Sequence, residues 1–250
     1  MTTRNIVITG AAMGIGAAIA RHFAGARSHL NLIDRDAAAL ADIAASCREA
    51  GSVVEATVVD LADAGWLALV RPRLPGQVDV LVNNAGISPE NDPEDRQTWA
   101  RVLAINLDAP AALTAECLPR MPSGARIINI ASVLGRAGKV RNTAYCASKH
   151  GLLGYTKALA LDLASRGITV NAVLPGWVDT PMLRRELEAQ AGQVGSTPEQ
   201  VLRNARRQMP IKRFVREEEV AEMVAWLAAS AASGVTAQSF VVDGGYTCGM

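Results

Sequence analysis

The chain has 250 residues, 50% of them apolar and 20% charged, which is enough apolar material for a sizeable core and excludes disordered and collagen-like chains. Lys and Arg number 25 against 24 Asp and Glu, leaving a net charge of +1. That balance lacks the basic excess of a general nucleic-acid binder.

Short β-branched runs alternate with Ala-rich segments of helical length. In chain order, strands are expected at residues 5–9, 30–34, 53–60, 78–82, 126–131, 168–174 and 240–242. Helices are expected at 14–24, 37–50, 64–70, 94–117, 143–165 and 217–229. Most strand runs are continuously apolar, as parallel strands covered on both faces should be. The alternation predicts βαβ units in one α/β domain: a Rossmann-type, doubly wound parallel sheet of about seven strands with helices on both faces. Asp92-Pro93 reads as a cap with Pro at the first helical position, and Thr197-Pro198-Glu199-Gln200 adds a capping box to the same arrangement.

The first strand runs into Thr9-Gly10-Ala11-Ala12-Met13-Gly14-Ile15-Gly16. Glycines there permit a tight turn and a close approach of the backbone to a pyrophosphate, at which the next helix aims its N–H groups. Alone, such a turn is a common structural feature. Asp34 strengthens the reading: it ends the second strand, where a carboxylate accepts hydrogen bonds from the adenosine ribose and repels a 2′-phosphate. NAD is therefore expected over NADP. Arg35 argues the other way, because a guanidinium can hold that phosphate.

Tyr145 and Lys149 lie four apart on an expected helix and share a face. A free tyrosine has a pKa of about 10 and is a poor base at neutral pH. Bringing it near pH 7.5 takes roughly 3.4 kcal/mol of preferential phenolate stabilisation, which a nearby ammonium could largely supply. By itself the spacing fits an exposed helix equally well. Ser132 directly follows the fifth strand, at the end where open α/β sheets bind ligands, and can donate to a substrate carbonyl or cap a turn.

Together these segments identify a resemblance to the classical short-chain dehydrogenase/reductase family. It rests on TGAAMGIG at 9–16, NNAG at 83–86, Asn106, Ser132, YCASK at 145–149, PGWVDT at 175–180 and VDGG at 242–245. The resemblance implies Tyr145 as catalytic acid/base and Lys149 as the group that lowers its pKa and binds the nicotinamide ribose. It implies that Ser132 orients the substrate oxygen and that Asn106 holds a water in the proton relay. Gly10, Gly14, Ile15 and Gly16 would cradle the pyrophosphate. Asp34 would bind the adenosine ribose and Asp60 the adenine, with Asn84 and Gly86 beside the adenosine. Val178 and Thr180 would fix the carboxamide. Residues 182–210 would form a mobile substrate lid, and the assembly would be a homotetramer, or a dimer, paired through the long helices and the last strand.

Residues 184–216, which take in most of the lid and the stretch after it, carry eight basic and three acidic residues. That excess reads as a solvated face, with a clamp for an acidic substrate as the alternative. Trp177 fits either the pocket or the core, while Cys146 and His150 read as packing or surface residues. The expected activity is NAD-dependent interconversion of a secondary alcohol and a ketone on a small molecule. The alternatives are a 3-oxoacyl-carrier-protein reductase using NADPH and a non-catalytic NAD-binding sensor. Met13 inside the turn and Ser123 weigh against the carrier-protein reading, whereas Arg166 matches it.

No apolar run is long enough to span a membrane, and MTTRNIVITG lacks the pattern of a signal peptide. Cys47, Cys117, Cys146 and Cys248, with His22, His29 and His150, match no zinc motif and no disulfide framework. A cytoplasmic, metal-independent protein is expected.

Overall fold

The computed structural model describes residues 3–193 and 195–248. Seven strands form one sheet: β1 (Arg4–Thr9), β2 (Ser28–Asp34), β3 (Val53–Val58), β4 (Val80–Asn83), β5 (Arg126–Ile130), β6 (Thr169–Pro175) and β7 (Ser239–Val242). Their order is 3-2-1-4-5-6-7 and every pairing is parallel. The strand order reverses between β1 and β4, and ligands bind beyond the carboxyl ends of such strands.

Alternate residues of the sheet feed two apolar layers. Ile6 and Ile8 of β1 pack with α1 (Gly14–Phe23), α2 (Ala37–Glu49) and α9 (Glu217–Ala228). Val7, between them, joins the opposite layer with α3 (Trp66–Val70), α5 (Ala109–Cys117) and α6 (Thr143–Leu163). Both faces of the central strands are thus covered, and every residue of β4, β5 and β6 is buried. The edge strands β3 and β7 keep exposed positions. That contrast explains why the inner strands read as unbroken apolar runs.

Several expected elements differ in detail. β3 ends at Val58, although Val59 N still donates to Asp34 O at 2.8 Å. The helix expected at 94–117 starts later, as α4 (Arg96–Leu103), and its cap is Asp95, whose side chain accepts from Thr98 N at 3.0 Å. Asp92 pairs with Arg141 at 3.1 Å instead. Between α4 and α5 the helix passes through a π turn at Ala104–Asp108. The segment after β6 is a helical hairpin, α7 (Pro181–Gln193) and α8 (Pro198–Gln208), and Thr197 caps α8 as expected, accepting from Gln200 N at 3.3 Å. Leu187, Ala191, Val201, Ala205, Met209 and Phe214 give the hairpin its own small core.

Among the described residues no helix is long and apolar enough to cross a membrane. The four cysteines are free, and no group of three or more His, Cys, Asp or Glu among the described residues could hold a metal.

Candidate active site

The turn after β1 is held against the end of β4. Thr9 Oγ1 accepts from Asn84 N and Ala85 N, both at 3.0 Å, and Asn84 Nδ2 donates to Thr9 O at 2.9 Å and Gly10 O at 3.0 Å. Asn84 thus acts as a tie across the switch point. Gly14 opens α1 with φ +60, and a Cβ on Gly16 would run into the Gly10 carbonyl oxygen. The first turn of α1 has no acidic residue and no side-chain cap, so its N–H groups and positive dipole end can receive an anion. Ile15 lies in the same turn. This cradle fits the diphosphate of a dinucleotide.

Charged residues stand at the ends of β2 and β3 and on α4. Asp34 Oδ2 accepts from Ala12 N and Oδ1 from Asp36 N, both at 3.0 Å, which fixes the carboxylate beside the glycine turn. Asp60 Oδ2 accepts from Arg101 at 2.6 Å and lies 3.7 Å from the half-exposed Arg35. Burial pushes the Asp60 carboxyl up. Hydrogen bonds from Ala62 N and Arg101, with the Arg101 and Arg35 charges, outweigh that and hold it below the usual carboxylate range. Both carboxylates keep lone pairs open for further donors.

The reacting pole lies at the carboxyl end of β5. Ser132 caps a short turn there, its Oγ accepting from Leu134 N at 3.1 Å. Asn91 reaches over from the loop after β4 to seat the start of α6, donating to Thr143 Oγ1 at 2.8 Å and accepting from Ala144 N at 3.2 Å. That contact sets the first turn of α6, which carries Tyr145. The Ser132 hydroxyl stands close enough to the Tyr145 phenol to favour its ionised form. One turn on, Lys149 is buried, with Nζ donating to Ile130 O at 2.8 Å and lying 5.6 Å from the Tyr145 ring centroid.

These groups shift one another less than the spacing suggests. Burial pushes the Tyr145 phenol up to about 12, with Ser132 pulling against it and Glu186 adding to it. The expected lowering by Lys149 is not found in this arrangement, because the ammonium is turned to Ile130 O. Burial in turn brings Lys149 down to about 8. A buried cation of this kind costs stability below pH 8, where the folded chain carries the proton. Between pH 8 and the unfolded value of 10.5 the folded state sheds the proton first, and the cost of about 3 kcal/mol fades. The stability of the wild type relative to Lys149→Met should therefore rise between pH 7.5 and 10 in urea unfolding. A difference that stays flat with pH would contradict the assignment.

Asn106 sits in the π turn, fully buried, with its side chain committed. Its Nδ2 donates to Ile87 O at 2.9 Å and Ser148 Oγ at 3.1 Å, and its Oδ1 accepts from Ile87 N at 2.9 Å. Both amide protons of Asn106 are thus used, and its main chain lies at a turn where the ordinary helical ladder is interrupted. Gly86 lies at the Lys149 end of the site, as a Cβ there would be 3.4 Å from both Asn106 Oδ1 and Lys149 Nζ. Val178 is buried and bridges Val215, and Thr180 caps α7 through Leu183 N at 3.2 Å while its methyl faces Gly14.

The structure thus gathers the glycine turn, Asp34, Asp60, Ser132, Tyr145, Lys149 and Thr180 at the carboxyl end of the sheet. Trp177 stacks on Phe214 at 6.0 Å, within the hairpin core. His150 is exposed and Cys146 partly buried, with His150 Nδ1 against Cys146 O at 2.9 Å. Arg166 donates to Leu118 O at 2.7 Å. Sequence reasoning missed Thr9 as the tie, Arg101 beside Asp60, and Glu186. Thr9 and Arg101 gave no signal beyond their residue type, and Glu186 appeared only in the charge count of the lid.

A family model described as enoyl-(acyl carrier protein) reductase matches residues 10–247. The chain is 41% identical to a protein named as ketoacyl reductase 1 of the granaticin polyketide synthase, from Streptomyces violaceoruber, over 96% of this chain and 91% of that one. It is 35% identical to D-beta-hydroxybutyrate dehydrogenase from Rhizobium meliloti strain 1021, over 98% of this chain and 99% of that one. A variant of actinorhodin polyketide ketoreductase, solved with NADPH, superimposes with a TM-score of 0.89 at 37% identity, covering 98% of this chain and 99% of that one.

Proposed function

We propose, since the chain belongs to the classical short-chain dehydrogenase/reductase family, that it interconverts a secondary alcohol and a ketone on a small molecule with NAD(H) as cofactor. The family assignment makes it an alcohol/ketone oxidoreductase. The observation that carries the finer reading is the meeting of Ser132, Tyr145 and Lys149 beside the glycine cradle.

When bound, the nicotinamide supplies or accepts the hydride. The chain's own residues handle the proton. Ser132 donates to the substrate oxygen and holds it against the Tyr145 phenol. In ketone reduction Tyr145 gives its proton to the forming alkoxide, and its high pKa keeps that proton in place until then. In alcohol oxidation Tyr145 takes the proton, which requires positive charge closer to the phenolate than Lys149 stands now. Lys149 and the main chain of Asn106 form the path behind it. Gly10, Gly14, Ile15 and Gly16 hold the diphosphate, Asp34 and Asp60 the adenosine with Asn84 and Gly86 framing the site, and Val178 and Thr180 the carboxamide end. The α7–α8 hairpin is the substrate lid.

NAD is favoured because the Asp34 carboxylate, held at the end of β2 by Ala12 N and Asp36 N, would repel a 2′-phosphate. Titration with NADH and NADPH, followed by nicotinamide fluorescence, tests this. NADH should bind at least about tenfold more tightly, and Asp34→Ala should erase the difference. Equal or tighter NADPH binding would place Arg35 on the 2′-phosphate. It would promote the second reading, an NADPH-linked 3-oxoacyl reductase, which the 41% identity to a ketoacyl reductase favours. A homotetramer fits the exposed Leu161 on α6 and Val241 on β7, and light scattering checks it.

A further inference from the structure

We propose that Asn91, in the loop after β4, is a positioning residue for the reaction: it caps α6 from outside the helix and so fixes where the Tyr145 phenol stands. The proposal rests on the reading of Tyr145 as the group that transfers the proton.

The first N–H groups of a helix have no partner within it. In α6 the residue at the cap position, Asn142, makes no side-chain bond to the first turn, and its Nδ2 donates to Val140 O at 3.2 Å instead. Asn91 takes its place from 53 residues away, its Oδ1 accepting from Ala144 N at 3.2 Å. Its Nδ2 donates to Thr143 Oγ1 at 2.8 Å and to Asp92 O at 3.0 Å. The main chain of Asn91 is fixed to the same stretch, with N donating to Arg141 O at 2.9 Å and a parallel bridge to Asn142. On either side of Asn91, Glu90 and Asp92 pair with the Arg141 side chain at 2.9 and 3.1 Å. Arg141 holds a left-handed φ of +58, which a residue with a side chain keeps only where its surroundings impose it. Asn91 is buried, so water does not stand in for these bonds when its side chain is cut back.

Two anchors bracket Tyr145. Ahead of it, Asn91 grips Thr143 and Ala144. Behind it, Asn106 Nδ2 donates to Ser148 Oγ at 3.1 Å and Lys149 Nζ to Ile130 O at 2.8 Å. Without the first anchor, the turn that frays is the one that carries the phenol. A misplacement of about 1 Å at a reacting group can cost about a hundredfold in rate. The glycine turn is tied to β4 through Thr9 and Asn84 and does not rest on Asn91.

Turnover is read by cofactor absorbance with the best substrate among ethyl acetoacetate, acetoin and cyclohexanone, and NADH affinity by fluorescence. Asn91→Ala should lower kcat about tenfold to a hundredfold while NADH affinity stays within about twofold. Asn91→Asp, whose carboxylate can accept from both Ala144 N and the Thr143 hydroxyl, should recover kcat to within about threefold of the wild type. In a Tyr145→Phe background Asn91→Ala should cost less than about a further twofold, since a residue acting through the phenol then has nothing left to place. Thr143→Val removes one of the same bonds at an exposed position. It should show the same pattern with a loss of about threefold, and it carries the test should Asn91→Ala not fold. Unchanged kcat, no recovery in Asn91→Asp, or an equal loss in both backgrounds would overturn the positioning role and leave Tyr145 in the chemistry. Full turnover in Tyr145→Phe, or no turnover of any of the three ketones by the wild type, would sink the proton-transfer reading and the proposal with it.

Discussion

Replacing Tyr145 with phenylalanine is expected to lower kcat about a thousandfold or more while NADH affinity stays within a few-fold. The change removes one oxygen, the group placed to pass a proton to or from the substrate oxygen at the position Ser132 faces. General acid–base catalysis by one placed group is worth about 10²–10⁴ in rate. The phenylalanine ring keeps the shape of the first turn of α6, which Asn91 seats through Thr143 and Ala144 rather than through the phenol. On the proposed reading, binding of the dinucleotide relies mainly on the glycine turn and Asp34, across the switch point. Steady-state turnover and fluorescence titration on the same preparation separate the two effects. Turnover near the wild-type level would remove Tyr145 from the chemistry.

Tyr145 and Lys149 are both pushed toward their neutral forms by the same burial, the phenol up to about 12 and the ammonium down to about 8. The four-residue spacing made their shared face legible from the sequence. It could not show that Nζ is turned to Ile130 O, because that contact comes from the end of β5, nineteen residues away. The same limit applies to Asn106. Its type and position were readable, but the π turn it sits in and the Ile87 backbone that bonds both ends of its amide are not, since that tertiary contact has no periodicity of its own.

The existence of the strands was readable for a plain reason. Strands buried on both faces leave continuous apolar runs, and the glycine turn marks where the first one ends. Boundaries were less so: Asp92-Pro93 carried the local pattern of a cap, yet Arg141 draws Asp92 into an ion pair and leaves the capping to Asp95. The lid shows a further gap. Its basic excess was visible, whereas the half-buried side chain among its charged neighbours, Glu186, is acidic and was submerged in the count. Side-chain direction on a helix depends on what the helix packs against, here the small core around Leu187 and Met209.

The glycine turn yields the second large effect. Gly16→Val should weaken NADH binding about a hundredfold and lower Tm by roughly 5–10 °C. A Cβ at this position collides with the Gly10 carbonyl and would stand 2.5 Å from Asn84 Nδ2, so the start of α1 and the turn have to separate. Separation breaks the bonds from Asn84 Nδ2 to Thr9 O and Gly10 O, the tie that holds the turn to β4. Overpacking of this kind costs about 1–3 kcal/mol, and each kcal/mol moves Tm by about 2–4 °C in a chain of this size. The loss in affinity is larger than the loss in stability because the N–H groups of the first turn of α1 converge on one anion. Moving them by a fraction of an ångström spoils several hydrogen bonds together. Gly138→Ala is the matched control, since a Cβ there meets nothing within 4 Å. Wild-type NADH affinity in Gly16→Val would mean that the diphosphate is held elsewhere, and the cradle would lose its place in the cofactor site.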